Sequence, residues 1–292
     1  MPGLESPLVT VVTPSLNQSE FIRATIESVL AQDYPRLEYI VIDGGSTDAT
    51  PAIVREYSSR LTFPSEPDRG QSHAVNKGFR LAKGSVLAWL NSDDLYLPGA
   101  ISAAVKGLDA HPDAAAVYGE GYLIDRAGNR KCRFPATAPF HLWTLIHLSD
   151  YILQQTVFFR RRIIEEIGYL DEDLHYAMDW DLLIRIGKRY PLQYLDQYLA
   201  CLREYPEAKS FRGGRARIAE IGRVMRRHAG RTLTPGYCTY ALEAYKPVLA
   251  STVRRYSPRV LAPPLEHAVT TASNLLIDRV TTCARRRALS EK

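Results

Sequence analysis

The sequence predicts an α/β fold in which a mostly parallel sheet is flanked by helices. Short β-rich apolar segments alternate with helix-like segments over the first 120 residues, as in parallel strands joined by crossover helices. Polar segments follow several of these apolar segments directly. Beyond Tyr205 the chain becomes basic, rich in proline and mainly helical in pattern. These observations together predict an α/β domain with a mainly helical C-terminal extension.

The individual elements follow from the spacing of apolar residues. Period-two or continuous apolar segments predict strands at residues 8–13, 39–42, 85–90 and 156–159. Apolar residues at helical spacing predict helices at residues 19–32, 50–58, 71–83, 162–167 and 179–189. Residues 126–147 are irregular, and they are expected to form a loop with a short helix.

The composition is that of a globular protein. Apolar residues make up 46% of the chain and charged residues 24%, which argues against a disordered or fibrous protein. The four cysteines show no CxxC pairing, so neither a zinc site nor a disulfide framework is indicated. No secretory signal and no apolar run long enough to span a membrane is visible, and the protein is expected to be cytoplasmic.

The net charge of +5 is concentrated in the second half of the chain. Arginine pairs and triplets lie at residues 226–227, 254–255 and 285–287, and residues 265–289 are moderately amphipathic. Two interpretations remain open: solvated or docked helix faces, or contact with an anionic membrane or nucleic acid. A nucleic-acid-binding motif is absent, so no nucleic-acid partner is expected.

Polar segments come after three of the predicted strands. They are TPSLNQ, DGGSTD and NSDD. In open α/β sheets, ligands bind beyond the carboxyl ends of the strands, so these segments are expected to face one crevice. The adjacent carboxylates of NSDD suit Mg²⁺ or Mn²⁺, although such a pair also occurs in turns and helix caps.

An ordered series of motifs carries a family resemblance. The chain contains TPSLNQ, ESVLAQDYP, YIVIDGGSTDAT, EPDRGQSHAVNKGFRLAKG and WLNSDDLYLPGA in this order. The series resembles the family 2 glycosyltransferases, densely over residues 7–108 and more thinly through QQTVFFRR and AMDWDLLIRI. The resemblance implies the Rossmann-like GT-A fold over residues 1–205, with a nucleotide-sugar half (7–108) and an acceptor half (109–205). Residues 206–292 form the extension.

The resemblance implies a set of residues that border the donor nucleotide. They are Pro14, Ser15 and Asn17 in the first loop, Asp43 after the second strand, and Asp68, Arg69 and Asn76 beyond it. Asp43 would accept hydrogen bonds from the base, or form an Asx turn at the glycine pair that follows it, and both roles can coexist. The alternative for Arg69 is that it is an ordinary surface arginine.

The resemblance also implies a metal site at NSDD, for Mn²⁺ or Mg²⁺. Asp93 matches the metal-binding aspartate of the family's DXD motif, and Asn91 stands where the motif usually has its first aspartate. Asn91, Ser92 and Asp94 are implied to contact the substrate, with the Asn91 amide able to bind a ribose or sugar hydroxyl. An amide at position 91 adds no negative charge, which weakens the expected hold on the metal.

A second acidic motif, MDWDL, opens a predicted helix, and the resemblance implies that Asp179 is the catalytic base, with Trp180 at the substrate. The alternative for Asp179 is a helix N-cap. Tyr205 stands where the family frequently has a histidine. Tyrosine is a poor metal ligand, so Lys209 or Arg203 is expected to neutralise the diphosphate instead.

The function implied is an inverting, metal-dependent hexosyltransferase. It would move a sugar from a nucleoside-diphosphate sugar to a glycan or lipid-linked acceptor in cell-surface polysaccharide or glycolipid assembly. Basic C-terminal helices suggest a peripheral position at the inner membrane face. Asn91, Met178 and Tyr205 depart from the family pattern and keep open a second hypothesis, a sugar-nucleotide-binding module without turnover.

Overall fold

The structure is a computed structural model that describes residues 6–256, without the side chains of Ser210, Phe211 and residues 246–256. The predicted amphipathic segment 265–289, with the arginines at 285–287, lies outside the described residues. So do the side chains at 254–255.

Eight strands of the described part form one sheet. The strands are β1 (Val9–Ser15), β2 (Leu37–Asp43), β3 (Val86–Trp89), β4 (Leu95–Tyr96), β5 (Ala116–Ile124), β6 (Arg130–Arg133), β7 (Phe158–Arg160) and β8 (Leu192–Arg203). Their order in the sheet is β2-β1-β3-β7-β5-β8-β4, with β6 added on β5. The first three strands pair in parallel through β1. The sheet becomes mixed beyond them, because β7 is antiparallel to both β3 and β5.

The helices within residues 6–256 follow the predicted alternation in the first half. They are α1 (Ile22–Leu30), α2 (Thr50–Arg55), α3 (Gln71–Leu81), α4 (Ala100–Ala110), α5 (Leu142–His147), α6 (Arg161–Ile167), α7 (Met178–Gly187), α8 (Lys209–Arg212), α9 (Gly214–Ala229) and α10 (Pro235–Tyr256). The α/β architecture with a mainly helical C-terminal part is therefore confirmed. No helix of this part is both long and apolar enough to cross a membrane.

Two segments differ from their predictions. The strand expected at 156–159 begins later, at Phe158, because a 3₁₀ turn occupies Gln154–Thr156. The Thr156 hydroxyl donates to the carbonyl of Leu153 at 2.7 Å, which folds the backbone there. Within the predicted loop 126–147, β6 forms a hairpin with β5. All four β6 residues are exposed, so no apolar alternation announced this strand.

The described chain forms two compact units. The first contains residues up to Phe140 together with Ile152–Tyr205, and the second contains His141–Tyr151 together with residues from Pro206 onwards. The single boundary after residue 205 remains a prediction, and the short segment at 141–151 groups with the later helices. In this second unit α5, α9 and α10 pack on one another.

The core of the first unit lies on both faces of β1. Val9 and Val11 pack with α1 and α4 in one buried cluster. On the other face α3 crosses β1 and β2, and Gly78 of this helix meets Val12. A Cβ at residue 78 would lie 2.8 Å from Val12 Cγ2 and closer still to Cγ1. The close approach of helix and strand therefore requires glycine.

Replacing Gly78 with alanine should destabilise the protein by about 1–3 kcal/mol, because the stiff, β-branched Val12 cannot move aside in a central strand. This loss is expected even though helix propensity alone favours alanine over glycine by about 1 kcal/mol. Urea unfolding measures the effect. Gly107→Ala is the matched control, since a Cβ there meets only the end of the flexible Leu195 side chain. An equal loss in both variants would contradict the packing argument.

Candidate active site

The three strand-end segments lie side by side, as their sequence positions predict. β1 pairs with β2 up to Ser15 and Asp43, and the amide of Gly44 donates to the carbonyl of Ser15 at 2.9 Å. β3 pairs with the other edge of β1, and Leu90 donates to the carbonyl of Val12 at 2.9 Å. The three loops therefore leave the sheet at one edge.

The loops after β1 and β2 are joined by hydrogen bonds. Asn17, the one non-glycine residue at positive φ (52°) among the described residues, donates its amide to Ser46 Oγ at 2.7 Å. Its side-chain oxygen accepts the amide of Thr47 at 2.9 Å. Pro14 and Ser15 are buried beside them, and Ser15 Oγ has no hydrogen-bond partner among the described residues. An unpaired buried hydroxyl at this edge is available to a ligand.

Asp43 holds the second loop together. Its fully buried carboxylate accepts the amide of Ser46 at 3.1 Å and the hydroxyls of Ser46 and Ser65 at 2.5 and 2.6 Å. Asp43 therefore stabilises the turn that follows it, whereas its contact with a nucleobase remains a prediction.

Asp68 and Arg69 lie in a loop that closes against the second one. The Asp68 carboxylate accepts the amide of Gly70 at 2.7 Å, and a Cβ on Gly44 would come within 2.5 Å of Asp68 Oδ2. Glycine at position 44 is thus needed for this carboxylate to reach its place. Arg69 is 72% exposed and forms an ion pair with Glu172.

Asn76 has a structural role. Its amide donates to the carbonyl of Leu170 at 2.9 Å and to Glu172 at 3.0 Å, and its oxygen accepts the Leu170 amide at 2.9 Å. The side chain is buried. It ties α3 to the segment that leads into α7, and its contact with a nucleotide stays untested.

The NSDD segment forms a turn held from several directions. Thr25 of α1 donates its hydroxyl to the carbonyls of Ser92 and Asp94 at 2.9 and 2.8 Å. Asn91 accepts the Gln71 amide at 2.6 Å and donates to Asp94 Oδ2 at 3.1 Å. Ser92 is buried within this turn. Thr25 lies on the apolar face of its helix. A hydroxyl residue at an otherwise apolar position was the sequence signal for its role.

The end of β8 supplies the remaining donors to the turn. The Arg203 amide donates to Asp94 Oδ1 at 2.8 Å, and its Nε donates to the Asp93 carbonyl at 2.7 Å. Gln155 donates to Asp94 Oδ2 at 2.6 Å. The Tyr205 hydroxyl donates to Asp93 Oδ2 at 2.8 Å. Both Asp94 oxygens are therefore occupied by protein donors, and Asp93 is oriented by Tyr205.

Tyr205 is itself fixed by its surroundings. Its ring centroid lies 4.9 Å from that of Phe21, and the Arg126 guanidinium lies 5.7 Å from the Tyr205 ring. Arg126 forms two hydrogen bonds to Glu20, at 2.7 and 2.6 Å. Burial, followed by the Asp93 charge, raises the pKa of Tyr205, so the hydroxyl stays protonated and remains a donor.

Burial shapes the electrostatics of the two carboxylates. It raises the pKa of Asp93. Burial and the neighbouring Asp93 charge raise the pKa of Asp94 to about 8. Each carboxyl group therefore disfavours the ionised form of the other, and a cation beside them would relieve the repulsion.

The donor set fits a divalent ion only in part. No cluster of three or more His, Cys, Asp or Glu side chains with metal-binding geometry occurs in residues 6–256. Asp93 Oδ1 takes no side-chain hydrogen bond there, whereas Oδ2 has Tyr205. A single carboxylate suits Mg²⁺ or Mn²⁺ when substrate phosphates and water complete the coordination shell. The site thus fits a metal that binds together with a diphosphate.

Arg203 does not have the role that the sequence suggested. Only 5% of the residue is exposed, and its guanidinium donates to the carbonyls of Asp93, Asp125 and Arg126. The Arg203 side chain therefore holds the backbone of the turn from inside the protein and does not face a ligand. Lys209 begins α8 in the second unit, and a diphosphate contact remains a prediction for it.

The start of α7 contains the implied base. Asp179 is partly exposed in the first turn, where its Oδ1 accepts the amide of Trp180 at 2.9 Å. The N-cap of the helix is Ala177, so the alternative of Asp179 as the N-cap is wrong. Trp180 is buried in the core, so no face of its ring is open to substrate. Asp181 is fully buried and pairs with Arg185 at 2.8 Å, which fastens this helix.

The segment before α7 is attached to the crevice. Ser72 donates to the carbonyl of Leu174 at 2.7 Å, and a Cβ on Gly70 would lie 3.1 Å from the His175 ring. Asp179 follows this segment closely in the chain. The loop with Asp68 and the beginning of α7 are therefore positioned together.

Comparison with known proteins gives a family match over most of the first unit. The model of glycosyl transferase family 2 matches residues 10–168. A protein of Mycobacterium tuberculosis named as an uncharacterized glycosyltransferase is 33% identical over 184 residues, covering 62% of this chain and 69% of the relative. A Mycobacterium bovis relative named as a PGL/p-HBAD biosynthesis glycosyltransferase is 29% identical over 187 residues, 62% of this chain and 70% of its own.

An uncharacterized glycosyltransferase of Rickettsia typhi is 30% identical over 200 residues, which cover 63% of this chain and 61% of that protein. The chain thus spans about three fifths of this relative's length.

Solved structures share the fold at low sequence identity. Staphylococcus aureus TarS 1–349 in complex with UDP-GlcNAc superposes with a TM-score of 0.59 at 17% identity, over 98% of this chain and 92% of that one. The mannosyltransferase PcManGT of Pyrobaculum calidifontis, in complex with GDP-Man and Mn²⁺, gives a TM-score of 0.61 at 20% identity, over 99% and 88% of the two chains. The GT-A fold expected from the sequence is therefore confirmed.

Removing the Tyr205 hydroxyl should weaken metal binding roughly tenfold, the low end of the effect of losing a group that orients a metal ligand. Tyr205→Phe keeps the ring and its packing. Free Mn²⁺ is measured by electron paramagnetic resonance during titration with saturating nucleoside diphosphate. Tyr190→Phe is the matched control, since that hydroxyl also donates to a carboxylate, Glu166, at 2.8 Å. Equal Mn²⁺ affinity in the two variants would show that the hydroxyl does not orient Asp93.

The raised pKa of Asp94 predicts a pH dependence of stability in the metal-free protein. Its folded-state pKa of about 8 exceeds the value near 4 of an unfolded chain. The stabilisation is therefore fully present below about pH 4 and is lost as the pH rises through about 8. Urea unfolding across this range should show wild-type stability falling relative to Asp94→Asn. Parallel pH profiles of the two proteins would disprove the shift.

Proposed function

Since the chain belongs to glycosyl transferase family 2, we propose that it transfers a hexose from a nucleoside-diphosphate sugar to an acceptor hydroxyl with inversion. The observation that carries the proposal is the Asp93–Asp94 turn. This turn stands at the carboxyl edge of the parallel strands, and one carboxylate of it is oriented by Tyr205 with an oxygen left for a ligand. TarS and PcManGT, which share the fold, are described with UDP-GlcNAc and GDP-Man, and their donors support a nucleotide sugar here.

We assign the donor to the crevice formed by the three loops. Ser15 Oγ, which is buried and has no partner in the described part of the chain, would bind a hydroxyl or phosphate of the nucleotide, with Pro14 and Asn17 beside it. Asp43, Asp68 and Arg69 would enclose the nucleoside, and Asn91 and Ser92 would face the sugar or ribose. The Arg69 guanidinium is exposed and would have to exchange Glu172 for the diphosphate.

A divalent cation, Mn²⁺ or Mg²⁺, held by Asp93 would offset the negative charge that develops on the departing diphosphate. The protein's part is to fix Asp93 through Tyr205 and Arg203. Asp94 acts behind it: its oxygens accept hydrogen bonds from Arg203, Gln155 and Asn91, so it would contribute to substrate binding by holding the turn that carries Asp93.

The chemical step is one displacement at the anomeric carbon. The acceptor oxygen forms a bond to this carbon while the bond to the diphosphate oxygen breaks, and the electron pair leaves with the nucleoside diphosphate. The acceptor proton passes to the carboxylate of Asp179. A single displacement inverts the configuration. Asp179 keeps one oxygen on the Trp180 amide, which fixes the direction of the carboxylate.

The acceptor class is inferred from a relative and from the charge of the second unit. The M. bovis relative is named for PGL/p-HBAD biosynthesis, and the second unit of this chain is rich in arginine. We therefore expect a glycan or lipid-linked acceptor in cell-surface polysaccharide or glycolipid assembly, met in the cytoplasm at the inner membrane face.

Asp179→Asn should lower turnover by at least about 100-fold, since the acceptor proton loses its base, while donor binding is retained. Thermal shift with UDP-, GDP- and dTDP-sugars and Mn²⁺ first identifies the donor. Acceptor-dependent release of nucleoside diphosphate then measures turnover. Asp173→Asn, an exposed aspartate before the same helix, is the control.

The outcomes separate the two hypotheses. Undiminished turnover of Asp179→Asn would assign the base elsewhere. A folded wild-type protein that binds a donor but releases no nucleoside diphosphate with any acceptor would favour the binding module without turnover.

A further inference from the structure

The exposed face of α9 consists almost wholly of arginine and alanine. Its exposed side chains are Arg215, Ala216, Ala219, Arg223, Arg226 and Arg227. The opposite face is buried and carries Ile218, Ile221, Val224 and Met225. The helix contains a single acidic residue, Glu220, which lies on the buried side with Arg223 at 3.7 Å. No acidic side chain therefore interrupts the exposed arginines.

Exposed side chains also lie beyond both ends of the helix. Arg212 precedes α9 and Arg231 follows it, and both are exposed. Leu233, in the connection to α10, is 71% exposed, the most exposed large apolar side chain of the described residues. We name Arg212, Arg215, Arg223, Arg226, Arg227, Arg231 and Leu233 the arginine face.

This arrangement brings positive charges together on one face, where Arg223 also pairs with Glu220 and Arg226 donates to Thr232 Oγ1 at 3.2 Å. Arg223, Arg226 and Arg227 follow one another at helical spacing, where like charges repel. An exposed leucine leaves apolar surface in contact with water, which is unfavourable. Both costs are offset at one kind of surface, an anionic bilayer, where arginines bind lipid phosphates and leucine enters the acyl boundary.

We propose that the arginine face docks the protein on an anionic lipid surface. The inference extends the proposed function, since a lipid-linked acceptor is carried by a membrane, but docking itself does not need the donor or the metal. The alternative, nucleic acid, would use the arginines but not the exposed leucine. The small side chains of Ala216 and Ala219 let the arginines approach a flat surface closely.

Co-sedimentation with vesicles tests the proposal with the full chain and without nucleotide. Wild type should bind vesicles of phosphatidylcholine and phosphatidylglycerol, but not phosphatidylcholine alone, and added salt should release it. Arg215→Gln with Arg226→Gln should weaken binding at least about tenfold. Leu233→Ser should weaken it several-fold and leave the salt dependence unchanged.

Matched controls lie in the first unit. Arg55→Gln with Arg162→Gln removes the same charge from exposed positions, and Leu81→Ser removes an exposed leucine; both should bind as wild type. Equal loss in the control pair, equal binding to neutral and anionic vesicles, or absence of binding would overturn the proposal. Tighter binding to a duplex oligonucleotide than to vesicles would reassign the face to nucleic acid. Release of nucleoside diphosphate with a soluble acceptor should persist in all variants, which separates docking from transfer.

Discussion

The hydrogen bonds that hold the Asp93–Asp94 turn are the interactions on which the rest of the site depends. Two adjacent carboxylates at the end of a buried strand repel each other, and burial penalises both charges. Asp94 is tolerated because the Arg203 amide, Gln155 and Asn91 all donate to it. Asp93 is left with Tyr205 as its side-chain donor, so the pair is divided into a structural carboxylate and an available one.

This division explains why two halves of the sheet are needed for one site. The motif lies after β3, whereas its donors come from α1, from the 3₁₀ turn before β7 and from the end of β8. β8 carries Arg203 and Tyr205 into place because it pairs in parallel with β5 up to Ile124 and Arg203. Burying an unpaired carboxylate is costly, so correct formation of this distant pairing is coupled to the geometry at Asp93.

The sequence predicted what depends on local pattern. Apolar runs located β1, β2 and β3, and the rule on carboxyl ends brought their polar loops together. It could not reveal contacts made across the chain. Asn76 and Arg203 are polar residues whose hydrogen bonds go to backbone carbonyls, and no local pattern distinguishes such residues from ligand-binding ones. Trp180 follows the implied base directly, but helical geometry turns its ring into the core. The exposed strand β6 lacked any apolar alternation.

Asn91 illustrates how a departure from a family motif can have a structural reason. A carboxylate at this position would be a third carboxyl group next to Asp93 and Asp94, and in its ionised form it could not donate. The amide donates to Asp94 Oδ2 and accepts from Gln71, so it satisfies a buried acceptor and connects α3 to the turn at the same time. The cost is one fewer carboxylate for a cation. In this turn, Asp93 is the carboxylate that keeps an oxygen free of side-chain donors from the described residues, so a metal at this site would depend on the phosphates of the donor for its remaining ligands. Metal and donor binding would then be coupled through Asp93, whose orientation is set by Tyr205 and the rings around it.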